Sequence, residues 1–428
     1  MRLGGRIQAA VEILDDMASR KRPASAALRD WGLSHRFAGS GDRSVIGNLV
    51  HDSLRKRASQ AWRMEEDSSH AIVFATLLGQ WGSDPAQLAG QLADDKFAPP
   101  FPDEQRLRTW ENRDLSDAPA HVQADIPEWC APLFEAAFGG NWIEQAAALS
   151  ERAPLDLRTN TLKSGREKLL KQLHRFGAKP GAVCETAIRI KAGTGEARLP
   201  NVQAEAGYQK GWFEIQDEGS QAVAALAEAR PGEQVLDYCA GAGGKTLALA
   251  AAMDNHGQIH AYDSDRHRLA PIHERLKRAG TRNVQVRQPD DPLDDLNGKM
   301  DLVLVDSPCT GSGTWRRRPD AKWRLSPENL EERQAQQADV LDKAVQFVKP
   351  GGRLVYITCS LFSEENRQQV DRLLQQEAEF EQALPTQTWL HMCNNAHQGP
   401  PPAASLTLTP LEAGTDGFFV AMLRRRAA

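Results

Sequence analysis

Two cysteines and a carboxylate stand where a parallel sheet would bring them together. The stretch Asp301-Leu-Val-Leu-Val-Asp306 is apolar between its acids, the pattern of a strand buried on both faces of a parallel sheet. It stops abruptly at Ser307-Pro308-Cys309, and the turn Thr310-Gly311-Ser312-Gly313 follows. A second run, Arg353-Leu-Val-Tyr-Ile357, comes after Gly351-Gly352 and ends in Thr358-Cys359-Ser360. Open α/β sheets bind ligands at the carboxyl ends of their strands, so Asp306, Cys309 and Cys359 are predicted to share one cleft. Either thiol alone would more often be a small buried hydrophobe. Two at one sheet edge, with an acid beside them, form a candidate reactive centre.

The elements before this pair supply a ligand loop. Gln234-Val-Leu-Asp-Tyr238 reads as a strand and runs into Cys239-Ala240-Gly241-Ala242-Gly243-Gly244-Lys245-Thr246, which opens an Ala/Leu helix. Glycines at a strand-to-helix turn let the backbone approach a ligand, and the helix amide groups face it. The loop is not G-x-G-x-x-G, because Thr246 stands at the last glycine position, nor a Walker loop, because Cys239 stands where the first glycine would be. Asp263, at the end of the next strand, is placed to accept from a ribose, and Asp290, after the following one, to receive an adenine amino group. Together they fit an adenosine ligand. The plainer alternative for Asp263 is a helix cap near Ser264.

Strands alternating with helices from about residue 208 predict a doubly wound, Rossmann-like α/β domain over 208–428. Residues 124–207, with strand-like Leu155–Thr161 and Ala187–Ile190 around a helix from Gly165 to Phe176, read as a small α+β domain that grips substrate. Residues 1–123 read as all-α: Leu3, Ile7, Val11 and Leu14 share one helix face, and further helices open near Asp42 and Ala71. The Pro-, Asp- and Arg-rich stretch 100–125 looks like a connector.

Composition narrows the function classes. At 428 residues, 41% hydrophobic and 25% charged, the chain reads as a globular protein of two or three domains. No apolar run reaches the length of a membrane span and the first residues lack a signal-peptide core, so a cytoplasmic protein is expected. The six cysteines have no C-x-x-C spacing, which suggests neither zinc nor a disulfide framework. No metal site is expected, and oligomeric state is open. A net charge of −5 does not announce a nucleic-acid binder. Locally, though, Trp315-Arg-Arg-Arg318 with Lys322-Trp323-Arg324 mixes cations and aromatic planes beside the Cys309 turn and is read as a phosphate-contacting loop. Arg275, Lys277, Arg278 and Arg282 are read as an exposed helix face, and Arg424-Arg425-Arg426 as a charged tail.

Asp237-Tyr-Cys-Ala-Gly-Ala-Gly-Gly-Lys-Thr246, Asp306-Ser-Pro-Cys-Thr-Gly-Ser-Gly313, Arg318-Pro-Asp-Ala-Lys-Trp323, Thr358-Cys-Ser360 with Glu364-Glu365-Asn366, and Thr415-Asp-Gly-Phe-Phe419 resemble the successive motifs of the RsmB/Sun (Fmu) family of RNA cytosine-5 methyltransferases. The resemblance covers the chain from about Gln216 onward, and the helical start is similar to that family's NusB-like domain. Ala242 stands where the family usually has proline, and Asp-Ser-Pro-Cys-Thr replaces the commoner Asp-Ala-Pro-Cys-Ser.

The resemblance implies S-adenosylmethionine as cofactor, bound by Cys239, Ala240, Gly241, Ala242, Gly243, Gly244, Lys245, Asp263, Asp290 and Asp306. It implies a cytosine of RNA, in small-subunit (16S) ribosomal RNA, as acceptor. By the same resemblance Cys359 is the nucleophile, Cys309 the second cysteine that assists release, and Asp306 the acid that binds the pyrimidine edge. The competing readings are a catalytically silent RNA-binding ribosome-assembly factor and the same chemistry on transfer RNA.

Overall fold

The computed structural model describes residues 1–427, which form two compact units. The first comprises Met1–Ala153, Ala192–Leu199 and Trp315–Leu325; the second comprises Pro154–Lys191, Pro200–Thr314 and residues 326 onward.

The first unit is helical. Its helix Leu3–Arg20 buries Ile7, Val11 and Leu14, as their spacing requires, against a core that includes Ile46, Leu49 and Val50 of helix Ser40–Arg55 and Val73 and Phe74 of helix Ser69–Ala75. The stretch 100–125 is more ordered than a connector. Asp103 accepts from the amide of Arg106 and caps a helix, Glu104–Asn112, and a further short helix spans Ala120–Gln123. Arg63 and Arg113 hold this stretch by donating to the carbonyls of Trp110 and Trp62 at 3.1 and 2.7 Å.

Part of the basic and aromatic run beyond the Cys309 turn departs from its reading as a phosphate-contacting loop, while Arg318 and Arg324 are exposed. Trp315 is fully buried and Arg316 nearly so. Lys322, on the helix Pro319–Arg324, is 1% exposed and donates to the carbonyls of Arg55 and Asp125 at 2.7 and 2.6 Å and to Ser150 Oγ at 3.1 Å. Trp323 Nε1 donates to the Leu54 carbonyl at 2.7 Å. Burial pulls the Lys322 ammonium down to about 8, with the Asp125 carboxylate opposing. Lys322 is therefore an internal tie between main-chain segments. A run of cations read in sequence gives no sign of the carbonyls that will enclose one of them.

The second unit carries two sheets. The smaller has strands β1 (Leu155–Thr159), β2 (Lys179–Pro180), β3 (Ala187–Ile190) and β4 (Phe213–Ile215), in the order β2-β3-β1-β4. The larger comprises β5 (Gln234–Asp237), β6 (Gln258–Tyr262), β7 (Val284–Arg287), β8 (Met300–Asp306), β9 (Val348–Thr358), β10 (Phe380–Gln382), β11 (Ser405–Leu408) and β12 (Phe418–Arg425). Its order is β10-β12-β9-β8-β5-β6-β7, with β11 also on β12. From β9 to β7 all pairs are parallel, and β12 is antiparallel. The chain winds outward from β5 through β6 to β7 and then returns to the other side of β5 as β8, so the switch point lies between the carboxyl ends of β5 and β8.

Leu302–Val305 and Leu354–Ile357 are wholly buried, which explains their unbroken apolar runs: both faces of the sheet are covered. Each of these side chains contributes about 2 kcal/mol by leaving water. The segment from Arg266 to Ala279 is two helices, Arg266–Leu269 and Ile272–Ala279, because Pro271 lacks the amide that would continue the first. No helix among the described residues is long and apolar enough to cross a membrane.

Replacing Lys322 with Met would leave two buried carbonyls without their donor. Thermal unfolding of Lys322→Met is expected to show a loss of about 3 kcal/mol, whereas an unchanged melting curve would show that Lys322 ties nothing together.

Candidate active site

β5 ends in Asp237, whose buried Oδ2 accepts from Thr246 Oγ1 at 2.6 Å and so ties the strand to the helix Gly244–Ala252 across the glycine loop. Burial pushes the Asp237 carboxyl up to about 7, against the pull of the Thr246 hydroxyl. The loop between them turns through left-handed conformations at Gly241 (φ +49°) and Gly243 (φ +80°). At Gly243 a Cβ would lie 2.5 Å from Ile272 Cγ1, so glycine is required both by the turn and by the helix behind it.

Asp263, at the end of β6, is 2% exposed; Oδ2 accepts from the Gly241 amide and Oδ1 from the Asp265 amide, both at 2.9 Å. The helix cap itself is Asp265, which accepts from His267 and Arg268. Asp263 thus binds the glycine loop to β6. A carboxylate offers about four acceptor directions, so these two bonds leave capacity for a ribose hydroxyl. Cys239 lies among acids: burial first, then Asp263, Asp306 and Asp237, raise its thiol well above the ordinary range, which makes it an inert lining residue.

Asp290 differs from the other acids. Its side chain is 83% exposed and pairs with Arg266 at 2.7 Å. Arg275 and Arg278, taken from the sequence as an exposed face, are largely buried. Both reach Glu214 of β4, at 3.0 and 2.6 Å, and Arg275 NH1 donates to the carbonyl of Ala242 at 2.7 Å. One arginine therefore fastens the glycine loop to the smaller sheet. Nothing in the local sequence identifies it, because its acidic partner lies sixty-one positions away.

On the other side of the switch point, Asp306 ends β8 and its Oδ2 accepts from Lys245 Nζ at 2.6 Å. Its side chain is 34% exposed while Lys245 is 8% exposed, so part of the carboxylate faces open space. Asp306 stands opposite Ile357 in the parallel β8–β9 register, and the two strands end side by side. The turns beyond them bring Cys309 Sγ to 3.3 Å from Cys359 Sγ. Contact with Cys359 first, and burial second, holds the Cys309 thiol well above the ordinary thiol range. The Cys309 turn is locked to the antiparallel edge: Gly313 N donates to the Cys359 carbonyl at 2.9 Å and Gly417 N to the Gly313 carbonyl at 2.8 Å. A Cβ on Gly313 would meet Gly417 O at 2.2 Å, which accounts for two glycines in motifs a hundred residues apart. All six cysteines are free, and no cluster of three or more His, Cys, Asp or Glu side chains suited to a metal occurs among the described residues.

A doubly wound parallel sheet with a glycine loop and strand-end acids at its switch point defines a Rossmann-like domain of the nucleoside-binding kind. The glycine cradle, its helix amides and the spare acceptor capacity of Asp263 fit an adenosyl group. Residues 224–424 match the family described as 16S rRNA methyltransferase RsmB/F, and residues 126–195 match the ferredoxin-like domain of the same group.

The chain is 32% identical over 315 residues to a probable ribosomal RNA small subunit methyltransferase B of Synechocystis sp., covering 71% of this chain and 67% of that protein. It is also 32% identical over 302 residues to ribosomal RNA small subunit methyltransferase B of Erwinia tasmaniensis, covering 69% and 66%. The matched region thus spans about two thirds of these relatives. Among solved structures, a methyltransferase homologue from Pyrococcus horikoshii superposes with a TM-score of 0.58 at 28% identity, over 72% of this chain and 97% of that one. NSun6 from the same organism, solved with SFG, shares the fold at a TM-score of 0.60 and 21% identity, over 71% and 99%. The chain belongs to the RsmB/F methyltransferase family, and its cofactor is S-adenosylmethionine.

Gly243→Ala combines a strained φ with a clash against Ile272. Calorimetric titration with S-adenosylhomocysteine is expected to show affinity reduced about tenfold or more; wild-type affinity would show that the loop tolerates a side chain.

Proposed function

We propose that the chain methylates carbon 5 of a cytosine in RNA, in small-subunit (16S) ribosomal RNA, through a transient covalent bond between the base and Cys359. The observation that carries this is the 3.3 Å approach of two free thiols at the ends of neighbouring strands, one of which ends in Asp306. The substrate follows from the family and from the names of the relatives.

Carbon 5 of cytosine is a weak nucleophile. Addition of the Cys359 thiolate to carbon 6 forms an S–C bond and moves the pair of the ring double bond onto carbon 5. The cofactor, when bound, supplies the electrophilic methyl group. Asp306 orients the base by accepting from the amino group on the pyrimidine edge, and the Lys245 ammonium that holds its carboxylate offsets the negative charge that gathers in the ring. The proton on carbon 5 then leaves, the double bond re-forms, and the S–C bond breaks with its electrons returning to Cys359. Cys309 assists this release. In the resting enzyme its thiol is kept protonated chiefly by Cys359; once that sulfur is bonded to carbon, the main cause is removed, Cys309 gives its own proton to solvent, and the resulting thiolate accepts the proton that leaves carbon 5. The timing of the second thiol is set by the state of the first.

The target base has to be unstacked, as bases in RNA loops are. The helical residues 1–123 and the α+β residues 124–207 serve as domains that position the RNA for the methyltransferase domain 208–428.

With unmodified 16S rRNA and tritium-labelled S-adenosylmethionine, Cys359→Ala is expected to lower methyl transfer by about a thousandfold or more. Cys309→Ala is expected to accumulate a protein–RNA adduct on a denaturing gel. Normal transfer by Cys359→Ala would exclude a covalent route through Cys359, and adduct accumulation by Cys359→Ala with loss of all adduct in Cys309→Ala would exchange the two roles.

A further inference from the structure

The two thiols are reached by one dipeptide that the chemistry above does not use. Glu365 is wholly buried, and its Oε1 accepts from the Thr310 amide at 2.8 Å and from Gln337 Nε2 at 2.9 Å, while Oε2 accepts from the Thr310 hydroxyl. Gln337, also wholly buried, donates to the Pro308 carbonyl at 2.9 Å as well. The peptide groups on either side of Cys309 are thus held by the Glu365–Gln337 pair. The next residue, Asn366, is 3% exposed and does the same on the other strand. Its Oδ1 accepts from Thr358 Oγ1 and its Nδ2 donates to the Ser360 carbonyl at 2.9 Å, which brackets Cys359. The hydroxyl of Tyr356 donates to the Glu365 carbonyl at 2.6 Å and anchors the dipeptide to β9 itself.

The residue types suit this. The donors around Glu365 are an amide, a hydroxyl and a side-chain NH2, so only an acceptor-only group satisfies all of them. Asn366 faces one donor and one acceptor, which a primary amide matches and a carboxylate does not. A carboxyl group this deep is costly to bury, and an apolar side chain would fill the same volume at less cost. What the polar pair adds is position.

We infer that Glu365 and Asn366 are positioning residues, Glu365 chiefly for Cys309 and Asn366 chiefly for Cys359, so that each governs a different half of the reaction; this rests on the covalent-cysteine function proposed above. Disturbing Glu365 displaces the Cys309 turn and slows release. Disturbing Asn366 displaces Cys359 and slows bond formation.

The test uses the full-length enzyme, 16S rRNA transcribed with cytidine or with 5-fluorocytidine, and unlabelled cofactor. Fluorine at carbon 5 prevents release, so adduct on the fluorinated RNA reports bond formation alone, while adduct on ordinary RNA reports slow release. Glu365→Gln and the milder Thr310→Val are expected to form adduct on fluorinated RNA within about twofold of wild type, and to accumulate it on ordinary RNA with turnover down about tenfold to a hundredfold. Asn366→Asp and Thr358→Val are expected to form adduct on fluorinated RNA about tenfold to a hundredfold more slowly and to accumulate none on ordinary RNA. Melting temperature and S-adenosylhomocysteine affinity identify any variant that has merely lost its fold, and the Thr→Val pair decides if a Glu365 or Asn366 variant has. Equal losses at both steps in both pairs would overturn the inference. Cys359→Ala and Cys309→Ala run alongside separate the two failures: if they do not block and trap the reaction respectively, the covalent-cysteine function itself is wrong.

Discussion

The parallel pairing of β8 with β9 is the constraint from which the site follows. Leu302 to Asp306 stand opposite Arg353 to Ile357 residue for residue, and the strands therefore finish level. A slip of one residue would send each side chain of one strand to the other face of the sheet, burying Asp306 and separating the thiols. The register is enforced by eight wholly buried apolar side chains, four on each strand. Their common burial, far more than any contact in the crevice, fixes where Asp306, Cys309 and Cys359 emerge.

The other half of the crevice is held by charge. Acids at the ends of β5, β6 and β8 converge on the glycine loop; burial first, and their mutual repulsion second, raise the Asp237 carboxyl and the Cys239 thiol. That repulsion is offset by Lys245 on Asp306, by the Thr246 hydroxyl on Asp237, and by the Gly241 and Asp265 amides on Asp263. Arg275 adds a cation from outside, between Glu214 and the Ala242 carbonyl. The acids gathered here include Asp263 and Asp306, which the proposed function sets against the cofactor and the base; costly groups of this kind are common at functional sites.

How much was legible in the sequence depended on how local each determinant is. The apolar runs, the glycine turn and the alternation of strand and helix are properties of neighbouring residues, and they revealed the doubly wound sheet and the convergence of the two cysteines. Lys322 could not be read, because a buried lysine and a solvated one differ only in what surrounds them, and its partners come from residues 55, 125 and 150. Arg275 and Arg278 failed for the same reason, with Glu214 on a strand of the other sheet. The bracketing role of Glu365 and Asn366 was present only as a motif fragment; its meaning appears once the turns at 308–310 and 358–360 lie side by side. Pro271, by contrast, is a local signal: a proline within a helical pattern breaks it, and the segment 266–279 is two helices.

The most direct test of the central claim is to identify the atom that holds the RNA. Adduct formed by the wild-type enzyme on 5-fluorocytidine-substituted 16S rRNA can be digested with protease and nuclease and the nucleotide-bearing peptide sequenced by mass spectrometry. The nucleotide is expected on Cys359, within the peptide that begins at Leu354 and ends at Arg367 after tryptic cleavage. A nucleotide on Cys309 instead, or no covalent peptide with the RNA still methylated in its unsubstituted form, would contradict it.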